Sequence, residues 1–363
     1  PATATVAGTA AATGSAAPRV VEVAGGLDHP WSLAFLPDGR MLVTERPGRL
    51  RLLSADGSRQ VAVDGVPRVY ARGQGGLLDV ALSPAFAQDR AIFLSYAEPT
   101  ANGARTAVAR ATLSNEASLS LQNLRVIFGQ KHDPSGGTHF GSSLVFGRDG
   151  NLFVTLGDRF THRDRAQELD NHYGKIIRIR PDGSVPPDNP FVGRAGALPE
   201  IHSYGHRNVQ GAALHPASGR LWTHEHGPQG GDEVNLEKAG ANYGWPIITY
   251  GREYGTGLKI GEGTERAGIE PPLLQWTPSI APSGMAFYTG DRFPAWRGNL
   301  FVGSLKYQML VRLELDGEKI VREERLLTDL KERVRDVRQG PDGYLYLLTD
   351  ESKGRLLRLM PGA

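Results

Sequence analysis

A short apolar run, a turn built from Pro, Gly and Asp, and a second apolar strand recur six times along the chain. The copies cover residues 31–43, 77–94, 143–154, 211–222, 284–302 and 336–347. The clearest read Leu36-Pro-Asp-Gly39 into Met41-Leu-Val43, Phe146-Gly-Arg-Asp-Gly150 into Leu152-Phe-Val154, and Gly340-Pro-Asp-Gly343 into Leu345-Tyr-Leu347. A phrase returning at intervals of roughly 45–80 residues marks a closed array of small sheets, because one hairpin cannot bury its own apolar faces and must stack on the next. Six copies predict an all-β chain, a six-bladed β-propeller with four-stranded antiparallel blades. In such a ring, equivalent positions of different repeats converge on one axial mouth.

The chain has 363 residues, of which 40% are apolar, enough for a sizeable core. The repeats run nearly end to end, so 19–363 reads as one domain. The 46 Gly and 24 Pro suit many tight turns, and no long stretch keeps a helical period. Val20 to Val23 is expected to be a strand that closes the ring against the last repeat. Residues 1–18, rich in Ala, Thr, Gly and Ser, read as a flexible leader. The missing initiator Met suggests an export signal removed upstream, hence a periplasmic or secreted protein. The absence of Cys excludes disulfides and thiolate metal sites. A net charge of +2 gives no case for nucleic acid, and no apolar stretch is long enough to span a membrane. Two long insertions, 160–199 and 227–272, are expected as loops on the binding face. Residues 326–331 read equally as a short helix or a loop.

Polar groups stand just ahead of several repeats in one register. Gln74 precedes the second, His139 the third, Arg207 and Asn208 the fourth, the run 276–283 the fifth, and Arg333 and Arg335 the sixth. Singly, each has a plainer reading. Arg333 and Arg335 can pair with Glu332 and Asp336 on a solvated strand, His139 can be a hydrogen-bonded structural histidine, and Arg207-Asn208 can be a turn. Together they form a ring that is costly to bury without a partner, which points to an anionic, polar ligand on the rim. A second cluster, His224-Glu-His-Gly-Pro-Gln-Gly-Gly-Asp-Glu233, offers two His for zinc but no clear third ligand. Its bare carbonyls and carboxylates suit a hard cation such as calcium, and a solvated loop fits the same residues equally.

On these motifs the chain resembles the soluble PQQ-dependent sugar dehydrogenases of the glucose/sorbosone dehydrogenase family, the bacterial aldose sugar dehydrogenases above all. The likeness runs from about residue 27 to 359 and includes Gly-Gln74-Gly-Gly, Tyr-Gly-His-Arg207-Asn208, Glu-His-Gly227-Pro228, Asn-Tyr243-Gly-Trp-Pro, Ser-Leu-Lys306 and Arg333-Val-Arg335-Asp-Val. The resemblance implies a six-bladed propeller that oxidises aldoses at the anomeric carbon to aldonolactones and passes electrons to an external acceptor. It implies His139 as general base, Asp158 as the carboxylate orienting it, and Arg207 at the reacting quinone oxygen. It implies Gln74, Asn208, Ser279, Lys306, Arg333 and Arg335 as contacts to the tricarboxylate PQQ, with Tyr254 stacking nearby. The carbonyls of Gly227 and Pro228 match ligands of the calcium beside PQQ, and Glu233 and Tyr243 match a further structural calcium. A monomer or weak dimer is expected. The chain departs from the glucose-oxidising branch at Arg163, which replaces an amide near the sugar, at Asp79, and around 251–269, so its preferred sugar is left open. Two rivals stand beside this reading. A calcium-dependent sugar lactonase would not need Lys306, Arg333 and Arg335 together; a non-catalytic propeller would bind a glycan or protein partner.

Overall fold

Apolar residues on both faces of nearly every strand leave a sheet no choice but to be sandwiched between two others. In the second strand of one sheet, Ile92, Leu94 and Tyr96 pack toward the preceding sheet, and Ala91 and Phe93 toward the following one. Leu300 and Val302 likewise face backward while Phe301 faces forward. This is the two-residue strand period with both sides buried, and it sets sheets radially around an axis.

The computed structural model describes residues 17–132 and 134–363. Apart from Ala17 and Pro18, the leader expected over 1–18 lies outside the described residues. Six four-stranded antiparallel sheets form the ring. The first blade holds Pro30–Phe35, Met41–Glu45, Arg49–Leu53 and Gln60–Ala62. The second holds Leu77–Leu82, Ala91–Pro99, Ala104–Leu113 and Leu121–Gly129. The third holds Leu144–Phe146, Leu152–Thr155, Lys175–Ile179 and Ile201–Tyr204, and the fourth Val209–Leu214, Leu221–Glu225, Asp232–Leu236 and Leu274–Trp276. The fifth holds Pro282–Phe287, Leu300–Ser304, Met309–Asp316 and Lys319–Leu326. The sixth combines Val334–Gln339, Leu345–Thr349 and Gly354–Met360 with the chain's first strand, Arg19–Leu27. Val20 pairs with Leu359 and Leu27 with Gly354, so the expected closing strand is present and ties the two ends of the chain into one blade, as its outermost strand. The first strand of each blade touches that of the next, and the sixth touches the first. Residues 327–331 form a turn, not a helix.

Polar staples lock neighbouring blades at one register. The hydroxyls of Thr44, Ser95 and Thr155, equivalent positions of the first three blades, donate to the carbonyls of Leu78, Ser142 and Val209 on the next innermost strand, at 2.6, 2.6 and 2.8 Å. In the fourth blade that position is His224, whose Nε2 meets the carbonyl of Ser283. In the fifth it is Gly303, and the bond comes instead from the Ser283 hydroxyl to Val334 O at 2.6 Å. A Cβ on Gly303 would stand 2.4 Å from that hydroxyl. His224 is thereby a blade staple, which agrees with the weak sequence case for zinc.

Two aspartates repeat a second device. Asp79 accepts from Val80 N at 2.9 Å and from Leu144 N of the third blade at 2.7 Å. Asp336 accepts from Val337 N at 2.9 Å and from Leu33 N of the first blade at 3.0 Å. Arg338 bridges the two carboxylates at 3.2 and 2.9 Å. The departure at Asp79 is therefore explained by ring closure within the shaft.

Candidate active site

The loop from the second blade into the third delivers His139 with a left-handed backbone, φ 53°. That shape is held by close packing: a Cβ on Gly157 would fall 1.9 Å from His139 O, so only glycine fits there. Gln74 Oε1 accepts the His139 amide at 2.9 Å. The imidazole Nδ1 lies 2.6 Å from Asp158 Oδ1, and both side chains are buried. Asp158 is saturated with donors, taking Phe160 N at 2.8 Å and the Trp245 indole N–H at 2.8 Å. Burial pushes the Asp158 carboxyl up, but its bonds and charge contacts with His139, Arg207 and Phe160 N outweigh this and hold it below the usual carboxylate range. Burial lowers the His139 pKa, opposed by the bond to Asp158 and assisted by Arg207. An ionised carboxylate facing a neutral imidazole accepts a hydrogen bond from Nδ1–H, which keeps the proton on Nδ1 and leaves Nε2 a free lone pair.

Arg207 is 3% exposed and fixed from all sides. Its amide donates to Glu225 Oε2 at 2.7 Å, its Nη1 to His226 O at 3.1 Å, and its guanidinium lies 5.4 Å from the Trp245 ring. Tyr254 reaches it at 3.5 Å through its hydroxyl and is itself largely exposed. Among the described residues no carboxylate pairs with the Arg207 side chain within 4 Å. His139, Asp158, Arg207, Pro228, Trp245 and Tyr254 share one open cavity of about 490 Å³, walled further by Arg163 and Glu253.

Cations accumulate beside it. Arg335 donates to Gln210 Oε1 at 3.0 Å and Asp350 at 2.8 Å, with its Nε buried and unpartnered. Arg333 stands 3.9 Å from the same Asp350. Arg46, not recognised from the sequence, is half-buried and feels Asp350, Arg335 and Arg333. Its signal was available in the register: 46, 226 and 350 each stand two residues beyond the staple position of their blades. Buried His226 in turn lies within electrostatic reach of Arg207, Arg335 and His139. Lys306 is exposed, its backbone bonded to Ile280 O beside Ser279. Asn208 Oδ1 accepts from Gly141 N at 3.1 Å, and its Nδ2 is buried without a partner. Ser279 Oγ accepts from Gly230 N at 2.8 Å and so shapes the Gly-rich loop rather than standing free.

Residues 27–358 match the Glucose / Sorbosone dehydrogenase family. The chain belongs to this family. Within the glucose/sorbosone dehydrogenase family it is similar to the aldose sugar dehydrogenase YliI of Escherichia coli strain K12, with 50% identity over 92% of this chain and 91% of the relative. Among solved structures, a glucose dehydrogenase crystal structure superposes with a TM-score of 0.92 at 52% identity, covering 95% of this chain and all of the other. The PQQ-bound form of an aldose sugar dehydrogenase from Streptomyces coelicolor gives a TM-score of 0.78 at 30% identity over 95% and 100% of the two chains.

In this family member the residues suit the group that the resemblance implies. Three arginines share one aspartate, and two buried donors, Asn208 Nδ2 and Arg335 Nε, face no acceptor. Anionic oxygens would satisfy both imbalances. The region implied for a cation is rich in buried acceptors. Burial pushes the Glu225 carboxyl up to about 8 and raises Glu233, with repulsion from Glu225 adding to it, while Asn235 Oδ1 has no donor. Glu233 and Tyr243 line a common cavity. Of the Gly227–Pro228 pair, Pro228 O accepts from Arg252 N at 2.8 Å and the Gly227 amide donates to Asp232 at 2.7 Å. Among the described residues no group of three His, Cys, Asp or Glu forms a ready metal cluster.

Proposed function

We propose that this chain oxidises aldoses at the anomeric carbon to aldonolactones, holding PQQ and calcium and passing electrons to an external acceptor. The observation that carries the reading is a base aimed into a cavity together with a nearby surplus of cations: His139, with a free Nε2, lines one cavity with Arg207, and Arg335, Arg333 and Arg46 gather on the single carboxylate of Asp350. Relatives named aldose sugar dehydrogenase and a PQQ-bound homologue at 30% identity support it. Lys306, Arg333, Arg335 and Arg46 would bind the cofactor carboxylates, with Gln74, Asn208 and Ser279 shaping the cradle. The carbonyls of Gly227 and Pro228 would hold the adjacent calcium, and Glu233 and Tyr243 a structural one. When bound, PQQ supplies the two-electron acceptor for the hydride leaving the sugar carbon, and calcium polarises it.

The protein's own part is positioning and proton transfer. His139 Nε2 takes the proton from the anomeric hydroxyl as the hydride departs, and Asp158 stabilises the imidazolium formed. Arg207, desolvated and rigid, stabilises negative charge developing on the acceptor oxygen. Trp245 and Tyr254 line the cavity beside Arg207. No helix among the described residues is long and apolar enough to cross a membrane. Independently of that, we propose a periplasmic or secreted protein, monomeric or weakly dimeric. The surplus cations favour this reading over a lactonase or a glycan binder. Apo-protein reconstituted with PQQ and calcium should bleach an artificial dye acceptor when glucose or another aldose is added. Lactone hydrolysis without PQQ, or no bleaching with a full aldose panel, would overturn it.

A further inference from the structure

The two long insertions meet over the cavity through one ion pair, Arg163 Nη2 to Glu253 Oε1 at 2.7 Å. Both residues line the same cavity as His139 and Arg207. Arg163 begins the short helical turn Arg163–Gln167. Glu253 sits in a tight turn, its amide on Leu258 O at 2.9 Å and its carbonyl accepting Gly257 N at 3.0 Å. Each is the other's sole charged partner within 4 Å among the described residues.

The insertions do not need this pair to stay together. Gln167 Nε2 donates to Trp245 O at 2.8 Å and Asn242 Oδ1 at 3.0 Å, and Asn242 returns a bond to Gln167 at 2.7 Å. Within the first insertion, Lys175, fully buried, fixes the turn that carries Arg163 by donating to the carbonyls of Tyr173, Arg165 and Ala166 and to Asn171, at 2.6 to 3.3 Å. The Arg163 and Glu253 side chains are 39% and 36% exposed, and a pair so placed adds little stability. Its effect falls on the charge of the mouth. With Glu253 present, Arg163 is cancelled. Without it, a guanidinium fork would face any sugar entering with its anomeric end toward His139, placed to grip a carboxylate on the distal carbon.

We propose that Glu253 is a specificity-determining charge filter: by neutralising Arg163 it makes the cavity select neutral aldoses over aldoses bearing a carboxylate, the uronic acids. This rests on the aldose-oxidising function proposed above.

The two halves of the pair make opposite predictions, which a mere clasp between loops would not. Glu253→Gln frees Arg163 and should raise the glucuronate-to-glucose ratio of kcat/KM by about tenfold at low ionic strength, fading with added salt. Arg163→Gln leaves Glu253 uncompensated and should lower that ratio. Binding of the same two sugars to apo-protein, followed by saturation-transfer NMR, should shift in the same opposite directions without any cofactor. Ratios that move together in both variants, or do not move, would overturn the filter, as would a wild type that prefers glucuronate. If no sugar is oxidised by reconstituted wild type, the proposed activity fails, while the apo binding ratios still decide the filter.

Discussion

The indole N–H of Trp245 donates to Asp158 Oδ2 at 2.8 Å, on the oxygen that His139 leaves free. Trp245 comes from the second insertion and Asp158 from the stretch just ahead of the first, so the full set of donors on Asp158 is assembled only once the second insertion is folded onto the rim. Removing His139 as alanine should reduce turnover by about a thousandfold while PQQ still binds, since the general base is lost but the cations are not. Trp245→Phe keeps the wall and deletes one donor to Asp158. The carboxylate then pulls harder on the imidazolium, so the acid limb of the pH–rate profile should move upward. An unmoved limb would exclude this role for Trp245. In the wild type the limb should fall below the ordinary histidine value, because burial lowers the His139 pKa.

Cofactor affinity should divide differently. Arg335→Ala removes the one cation bonded to both Gln210 and Asp350, and Arg46→Gln removes a half-buried charge. Each should weaken PQQ binding by about 10- to 100-fold, read from fluorescence titration of apo-protein, with turnover at saturating PQQ reduced far less. An Arg335→Ala variant that binds PQQ normally but does not turn over would reverse the assigned roles.

The blade count was legible because a turn phrase flanked by apolar strands repeats wherever a hairpin must be sandwiched. The closing strand near Val20 was legible for the same reason. The candidate site was legible as a register, since His139, Arg207 and Arg335 stand at comparable starts of innermost strands, while the roles expected of His139, Asp158 and Arg207 came only from the family resemblance. The roles of Trp245 and Glu253 were not legible: both insertions are expected on the binding face, but nothing in sequence says which side chains of the second, 87 and 90 residues from Asp158 and Arg163, meet those partners there. Arg46 was missed although its register matched His226 and Asp350. It follows the second strand of its blade, whereas the polar register legible in the sequence precedes the first.

Ring closure gives a stability test. Asp79 holds Leu144 N and the Ser32 hydroxyl on two neighbouring blades and partners Arg338. Asp79→Ala leaves two amides and a guanidinium short of an acceptor inside the shaft. It should cost about 3–5 kcal/mol, measured by denaturant unfolding. Thr44→Val, which deletes one staple to Leu78 O and the bond the same hydroxyl accepts from Ser32 N at 3.0 Å, should cost about 1–3 kcal/mol. A tolerant Asp79→Ala would mean that the blades are held by apolar packing alone.

Acid sensitivity should trace to histidines buried in neutral form. His202 packs edge-on against Phe153 at 4.9 Å with its Nδ1 unpartnered, and burial, with Arg178 and His206 nearby, lowers it to about 4. His172 accepts Lys131 N on Nδ1 at 2.9 Å and gives its other nitrogen to Glu200, and burial lowers it too. Between the unfolded value of about 6.5 and the folded one, the unfolded chain binds a proton that the native state refuses, so stability rises with pH across that window. The contribution is complete above 6.5 and is lost as pH falls toward 4, amounting to about 3 kcal/mol for His202. Replacing His202 with Phe removes the titrating group while keeping a ring against Phe153. The stability difference between variant and wild type should therefore be flat above pH 6.5 and swing in favour of the variant between 6.5 and 4. A difference independent of pH across that range would show that His202 protonates as readily in the native state as in the unfolded chain.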